Sequence, residues 1–181
     1  MRRLALLALA GCALTSKSPP LDVHYYTPDV SPTTQAYALP SDTKIRLGRV
    51  SAASHLRARI AYRVSPTQIE FYETRRWAES PEAYARRALE QVLAERGVLV
   101  TGGKALQLDV EVVTFEEVRD PRPLARVGLR YTLIDNRVVI REGTVETEHT
   151  AGPSFDSFVV AIGQALDDAS LQIASESLTA N

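Results

Sequence analysis

The chain has 181 residues, 45% hydrophobic and 24% charged, with a formal net charge of -1. That length supports one domain with a sizeable core, and so balanced a charge gives no electrostatic case for nucleic acid, which calls for clustered lysine and arginine. A single cysteine excludes an internal disulfide, so the fold must be held by its core alone.

Residues 1–12, MRRLALLALAGC, read as a processing segment. Arg2 and Arg3 form a basic head, Leu4 to Ala10 an apolar run, and Leu9-Ala10-Gly11-Cys12 resembles a bacterial lipobox. The apolar run is far shorter than the roughly 20 residues of a spanning helix. A signal over residues 1–11 leaves 170 of the 181 residues and removes Arg2 and Arg3, which takes the formal charge from -1 to -3. Cys12 is then the lipid-attachment residue, with palmitate among its chains, and several acyl chains make anchoring effectively permanent. The competing reading is an ordinary secretory signal with an incidental cysteine. By analogy with Gram-negative sorting, where Asp after the cysteine retains a lipoprotein in the inner membrane, Ala13 points to the outer membrane.

From Ala13 to about Thr43 the chain carries Pro19, Pro20, Pro28, Pro32 and Pro40 amid serine and threonine. Residues 12–22 are expected to form a tether that, extended, holds the domain about 30 Å off the bilayer. A single domain follows over 23–181. Within it His24-Tyr25-Tyr26 is more apolar, and Lys44 to Val50 alternates with Ile45 and Leu47 inward, a strand pattern. The stretch 51–58, SAASHLRA, reads as a polar, exposed loop.

Ile60, Tyr62 and Val64 alternate with Ala61 and Arg63, the period of a half-buried strand, and Ser65-Pro66 turns the chain into a second apolar run at Ile69, Phe71 and Tyr72. A hairpin is predicted. Ser80-Pro81-Glu82 then starts a helix to Arg96, with Ser80 as cap and Gly97 as the left-handed stop. Tyr84, Ala85, Ala88, Leu89, Val92 and Leu93 recur at steps of three and four and form its apolar stripe, opposite a supporting set of Glu82, Arg86 and Glu90.

Tyr62-Arg63, Ile69-Glu70-Phe71-Tyr72 and Arg76-Trp77-Ala78-Glu79-Ser80-Pro81 together resemble the signature block of the ABC-type transport auxiliary lipoproteins, the PqiC-like lipoproteins of MCE (mammalian cell entry) lipid transport systems. The family pattern is roughly YR, I-x-YY and RWAEPP; here Phe71 replaces a tyrosine and Ser80 a proline. His24-Tyr25-Tyr26 falls where the family has its first strand, YYTL, with Pro28 in place of the leucine. The resemblance spans nearly the whole chain. Its motif is structural and defines no chemistry.

Beyond Gly97 the pattern is strongly β. Val98-Leu99-Val100 is a short run and Gly102-Gly103 a turn, after which Leu106, Leu108, Val110 and Val112 alternate with polar residues. The phase changes at Val112-Val113, a bulge signal that puts Val113 and Phe115 inward. Val127, Leu129, Tyr131 and Leu133 alternate next, Asp135-Asn136 makes a tight turn, and Arg137 to Glu148 returns as another strand. Asp109, Glu111, Arg126 and Arg130 fall on one polar face, where they read as cross-strand pairs on a solvated surface or, less simply, as a charged ligand face. Ser154 starts the last helix, whose stripe is Phe155, Phe158, Val159, Ile162, Leu166, Ala169 and Ile173. At about 100° per residue Val160, Leu171 and Leu178 fall together on its other side. They are either scattered surface residues or a partner contact. Trp77 with Arg76 has the same two readings, since Trp and Arg are enriched at binding hot spots yet would equally close the corner between sheet and helix, with an arginine stem stacked on the indole.

The fold class expected is α+β, a mostly antiparallel sheet with two long helices on one face. The resemblance implies a topology like the N-terminal domain of TolB. No metal-ligand spacing, nucleophile motif or phosphate-cradling loop is present, and His24, His55 and His149 are scattered, so neither enzyme activity nor a cofactor is expected. The resemblance implies a non-catalytic outer-membrane lipoprotein serving an MCE-domain protein and an ABC permease and ATPase. Open sheet edges leave homo-oligomers possible. A structural or regulatory lipoprotein binding a cell-wall or envelope-assembly enzyme is the alternative, and a lipid-anchored hydrolase the third reading.

Overall fold

The computed structural model describes residues 20–28 and 43–179; Cys12, the processing segment and most of the proline-rich stretch lie outside the described residues. The elements are β1 (His24–Tyr26), β2 (Ile45–Ala52), β3 (Arg59–Ser65), β4 (Gln68–Trp77), α1 (Pro81–Glu95), β5 (Leu106–Val118), β6 (Leu124–Asp135), β7 (Val138–Thr150) and α2 (Phe155–Leu178). The class is α+β. Seven strands make one sheet in the order β1-β4-β3-β5-β6-β7, with β2 joined to β5.

Every other part of the sheet is attached to β5 directly or through one neighbour, except β1, which reaches it through β4 and β3. One of its edges carries β6 antiparallel along its whole length, while the other carries two parallel partners in succession, β2 beside 106–112 and β3 beside 116–118. The register with β6 shifts between Val112 and Thr114, the bulge that the change of apolar phase predicts. Gly128 faces Thr114 across it, and a Cβ there would lie 3.0 Å from the threonine side chain. The bulge brings Phe115 inward and buries it, while Val113 stays half-buried. The sheet is therefore mixed: β3 and β4 pair antiparallel, as do β6 and β7, but β1 runs parallel to β4.

Three local expectations change. Val64 is 40% exposed while Ala61 is buried, because a register shift between Arg59 and Ala61 breaks the alternation of β3. Leu56 leaves the polar loop for the core, placed there by a turn in which its amide donates to the Ala53 carbonyl at 2.9 Å. The turn between β6 and β7 centres on Asn136 and Arg137, one residue later than expected, with φ of 47° and 71°. Both central residues are left-handed, as a two-residue hairpin requires.

The first helix buries its whole predicted stripe. Its end is a Schellman motif: the Gly97 amide donates to Ala94 at 2.9 Å and the Val98 amide to Leu93 at 3.1 Å, with Gly97 at φ 67° and Val98 packed in the core. Ser80 makes no side-chain cap; its carbonyl instead accepts from Ala83 at 2.9 Å. Arg86 pairs with Glu90 at 3.3 Å and reaches the Gly48 carbonyl, but Glu82 stands apart, with one carboxylate oxygen buried and unbonded among the described residues. The Ser154 hydroxyl does cap α2, accepting from the Ser157 amide at 3.1 Å. Both helices lie on one face, α1 against β2 and α2 against β6 and β7.

Trp77 is buried where these layers meet. Its ring sits edge-on to Phe115 of β5 at 5.2 Å and Tyr84 of α1 at 6.2 Å, and tilted to Phe158 of α2 at 6.1 Å. Among the described residues no arginine stacks on it, contrary to expectation; Arg75 turns outward to Tyr72 and Phe155.

The other sheet face is solvated. Arg130 meets Glu111 at 2.9 Å and Arg126 meets Glu148 at 2.6 Å, while Asp109 accepts from the Arg49 amide. Such exposed pairs contribute little. Arg63 and Glu116 are different, because the Glu116 side chain is 1% exposed and the guanidinium forks onto both its oxygens at 2.5 and 3.1 Å.

An Arg63→Met variant should therefore lose about 3–5 kcal/mol in chemical denaturation, since it strands a buried carboxylate, and adding Glu116→Leu should restore most of it. A second expectation concerns pH. Burial and the bond to Glu176 at 2.5 Å push the Tyr131 hydroxyl up to about 12, and that bond, with Gln172, holds Glu176 below its ordinary value of 4.5. The Tyr131 contribution is full below pH 10 and declines from there to about 12; that of Glu176 is full above 4.5 and declines as pH falls through its lowered value. The stability gap between wild type and Tyr131→Phe, measured in urea, should narrow at both limits and be flat between them.

Candidate interaction surface

The signature residues divide by depth. Trp77, Pro81 and Tyr84 are buried, and the Tyr84 hydroxyl accepts from the Glu79 amide at 3.0 Å and donates to the Tyr26 carbonyl at 3.4 Å, tying β1, the corner and α1 together. Tyr62, Arg63, Glu70 and Tyr72 lie half-buried on β3 and β4, where the helices leave the sheet partly open.

There the aromatics alternate with cations. The Arg119 guanidinium lies 3.6 Å from the Tyr62 ring centroid and 5.1 Å from that of Tyr72; Arg75 lies 4.7 Å from Tyr72 and 3.9 Å from Phe155. Tyr26 closes the row, edge-on to Phe155 at 4.6 Å. Carboxylates complete it: Tyr62 donates to Glu70, Tyr72 donates to Glu117 at 2.5 Å, and Arg119 donates to Glu117 at 3.1 Å. At partial exposure each cation–π contact contributes roughly 0.5–1 kcal/mol. The row ties the start of α2 and the chain after β5 to the hairpin.

Its electrostatics are those of a strut. The bond to Glu70 raises the Tyr62 phenol, and burial followed by the bond to Glu117 raises that of Tyr72. Both hydroxyls stay protonated at neutral pH and act as donors, which suits them poorly to accept a proton in catalysis. The histidines remain apart, His24 beside Asp22 at 3.5 Å, His149 against Asp168 at 2.7 Å and His55 exposed. Among the described residues no group of three His, Cys, Asp or Glu is placed to hold a metal. A cleft of about 460 Å³ lies between the end of β3 and residues 118–126, but its two arginines, Arg63 and Arg126, are already committed to Glu116 and Glu148.

Of the residues predicted to meet a partner, Trp77 is 1% exposed and offers no surface; its place in the aromatic core fixes it there. Arg76 is half-buried and donates to the carbonyls of Tyr72 and Arg75, both at 2.9 Å. Val160 is 53% exposed on the outer side of α2, whereas Leu171 and Leu178 are half-buried and pack against the core. The three do not form one exposed line. Sequence reasoning misses Arg119 and Glu117, because nothing local marks a residue that meets the motif only through the parallel pairing of β3 with β5.

The fold has solved counterparts. Protein XCC0632 from Xanthomonas campestris superposes with a TM-score of 0.72 at 18% identity, over 86% of this chain and 95% of that one. An uncharacterized protein gives 0.63 at 17% identity, over 85% and 98%, and the hypothetical protein CT253 from Chlamydia trachomatis 0.51 at 7%, over 77% and 98%. No curated protein sequence matches the chain. No helix among the described residues is long and apolar enough to cross a membrane. A family model described as ABC-type transport auxiliary lipoprotein component matches residues 26–174, from β1 to near the end of α2 and so through the whole scaffold that the signature residues build, and the chain belongs to that family.

Proposed function

We propose that the chain is a non-catalytic, outer-membrane lipoprotein that serves an ABC and MCE-type system moving lipids or other hydrophobic substrates across the cell envelope. The observation that carries this reading is the family match over 26–174, which joins a lipobox ending at Cys12 in the same chain. Acylated Cys12 fixes the domain to the membrane, residues 12–22 act as tether, and residues 23–181 dock the transporter. Tethering raises the local concentration of a docking module without any new contact. The strut-like chemistry of the signature residues supports a scaffold over a catalyst. Contact with the MCE-domain partner is assigned to the outer side of α2 around Val160, which is 53% exposed.

The test is to tag the full chain in its native host, fractionate membranes and identify what copurifies. Wild type should travel with the outer membrane and bring down an MCE-domain protein with its permease and ATPase, while Cys12→Ser should appear in the soluble fraction. Recovery of a cell-wall synthase alone would transfer the chain to the alternative reading. Val160→Asp should weaken copurification several-fold at unchanged melting temperature; unaltered recovery would remove α2 from the contact.

A further inference from the structure

At the end of the sheet where β5 begins, three cations surround a cleft of about 440 Å³: Arg46 of β2, Lys104 of the preceding loop and Arg137 of the turn between β6 and β7. None of their side chains has an ion pair or hydrogen bond among the described residues, and Asp135, next to the turn, pairs with none of them. Asn136 adds an amide donor, Gln107, whose amide donates to Asp109 at 2.9 Å, forms part of the lining, and Ala105 and Ile134 give the cleft an apolar wall. Directly beside it Val138, Val139 and Ile140 are 63, 53 and 44% exposed. Three consecutive exposed apolar residues on a strand present surface to both faces of the sheet, and Val139 is the register partner of Ile134, so the apolar surface runs on from the cleft wall.

We propose that this end of the domain binds the phosphate headgroup of an anionic phospholipid, with the acyl chain laid along Ile134, Val139 and Ile140. Unpaired arginine and lysine around a concavity suit a phosphate, and cations flanking exposed aliphatics match the two halves of an amphiphile. A peptide strand added to the free edge of β7 would use the valines but leave Arg46 and Lys104, which stand inboard of β6, without a role. The site lies at the other end of the sheet from the chain that leads to Cys12: β1 joins β4, whose partner β3 runs beside 116–118 of β5, while Arg46 pairs in register with Gln107. It is therefore far from β1, where the described chain begins. The inference deepens the proposed lipid-transport role by giving the folded domain a lipid contact of its own, and its meaning in the cell rests on that reading.

Binding is measured by calorimetry on the purified, lipidated full chain in nonionic detergent, with dihexanoyl phosphatidylglycerol, dihexanoyl phosphatidylcholine, inorganic phosphate and poly-glutamate as probes. Phosphatidylglycerol should bind most tightly. Lys104→Glu with Arg137→Glu, both at exposed positions, should weaken it at least tenfold at unchanged melting temperature, and Val139→Asn should weaken phosphatidylglycerol several-fold but phosphate not at all. Phosphate bound as tightly as the lipid, with Val139→Asn silent, would make this a free-anion site and overturn the proposal. Tighter binding of poly-glutamate would overturn it in favour of an acidic protein partner, and so would no lipid binding, or binding indifferent to the charge reversal, without any partner. Membrane release of Cys12→Ser and copurification of the transporter are independent of all these outcomes.

Discussion

The indole of Trp77 is the contact on which the two halves of the domain depend. It stands at the last position of β4 and touches one ring from each of three other elements, Phe115 of β5, Tyr84 of α1 and Phe158 of α2. These elements are far apart in sequence, so the aromatic cluster defines how hairpin, meander and both helices sit together. Large buried rings combine much apolar area with preferred edge-on geometry, which makes such a node both stabilising and specific. The signature block has a physical explanation in this: its buried members build the node and its half-buried members brace it from outside.

The bulge in β5 makes the node possible. Without the shift at Val112 to Thr114, Phe115 would point to the solvated face, because a strand alternates with a period of two. The same shift divides the far edge of β5 between β2 and β3, and it sets Glu116 where Arg63 can reach it. Without the shift Glu116 would face the core; on the opposite face it is still buried, and it is tolerated there only with a partner that satisfies it. The inward and outward phase of β5 beyond Val112 is thus the consequence of one inserted residue.

Much of this is legible in the sequence, and what is lost has a common cause. The helices, the Gly97 stop, the start of α2 at Ser154 and the β5 bulge are local patterns of apolar period or backbone conformation, and they read correctly, whereas Ser80 does not cap α1. The parallel pairings β1–β4, β2–β5 and β3–β5 join segments far apart in the chain, and no local signal encodes them. Everything that depends on them is equally hidden: Arg119 over Tyr62, Glu116 beneath Arg63, and the convergence of Arg46, Lys104 and Arg137. Val64 and Leu56 fail for a smaller reason, since one register shift and one turn are enough to exchange inside for outside. Trp77 is identified as a residue that matters, but only packing decides that it matters inside.

The domain has ends as well as faces, and the ends differ chemically. At the end where β3 and β4 lie, the half-buried Arg63 and Arg75 and the exposed Arg119 are each met by a carboxylate or a ring, so that end gains rigidity and keeps little unspent charge. At the opposite end Arg46, Lys104 and Arg137 have no such partner among the described residues, and the neighbouring aliphatics are exposed rather than folded under a helix. Satisfying these groups internally would need only an acid or a covering loop, both within easy reach of a surface turn. Their arrangement stabilises nothing in the isolated domain, and exposed apolar surface costs solubility. A domain with one braced end and one unsatisfied end is built to meet something at the second, and the mixture of positive charge with aliphatic surface there suits an amphiphile more closely than it suits a protein.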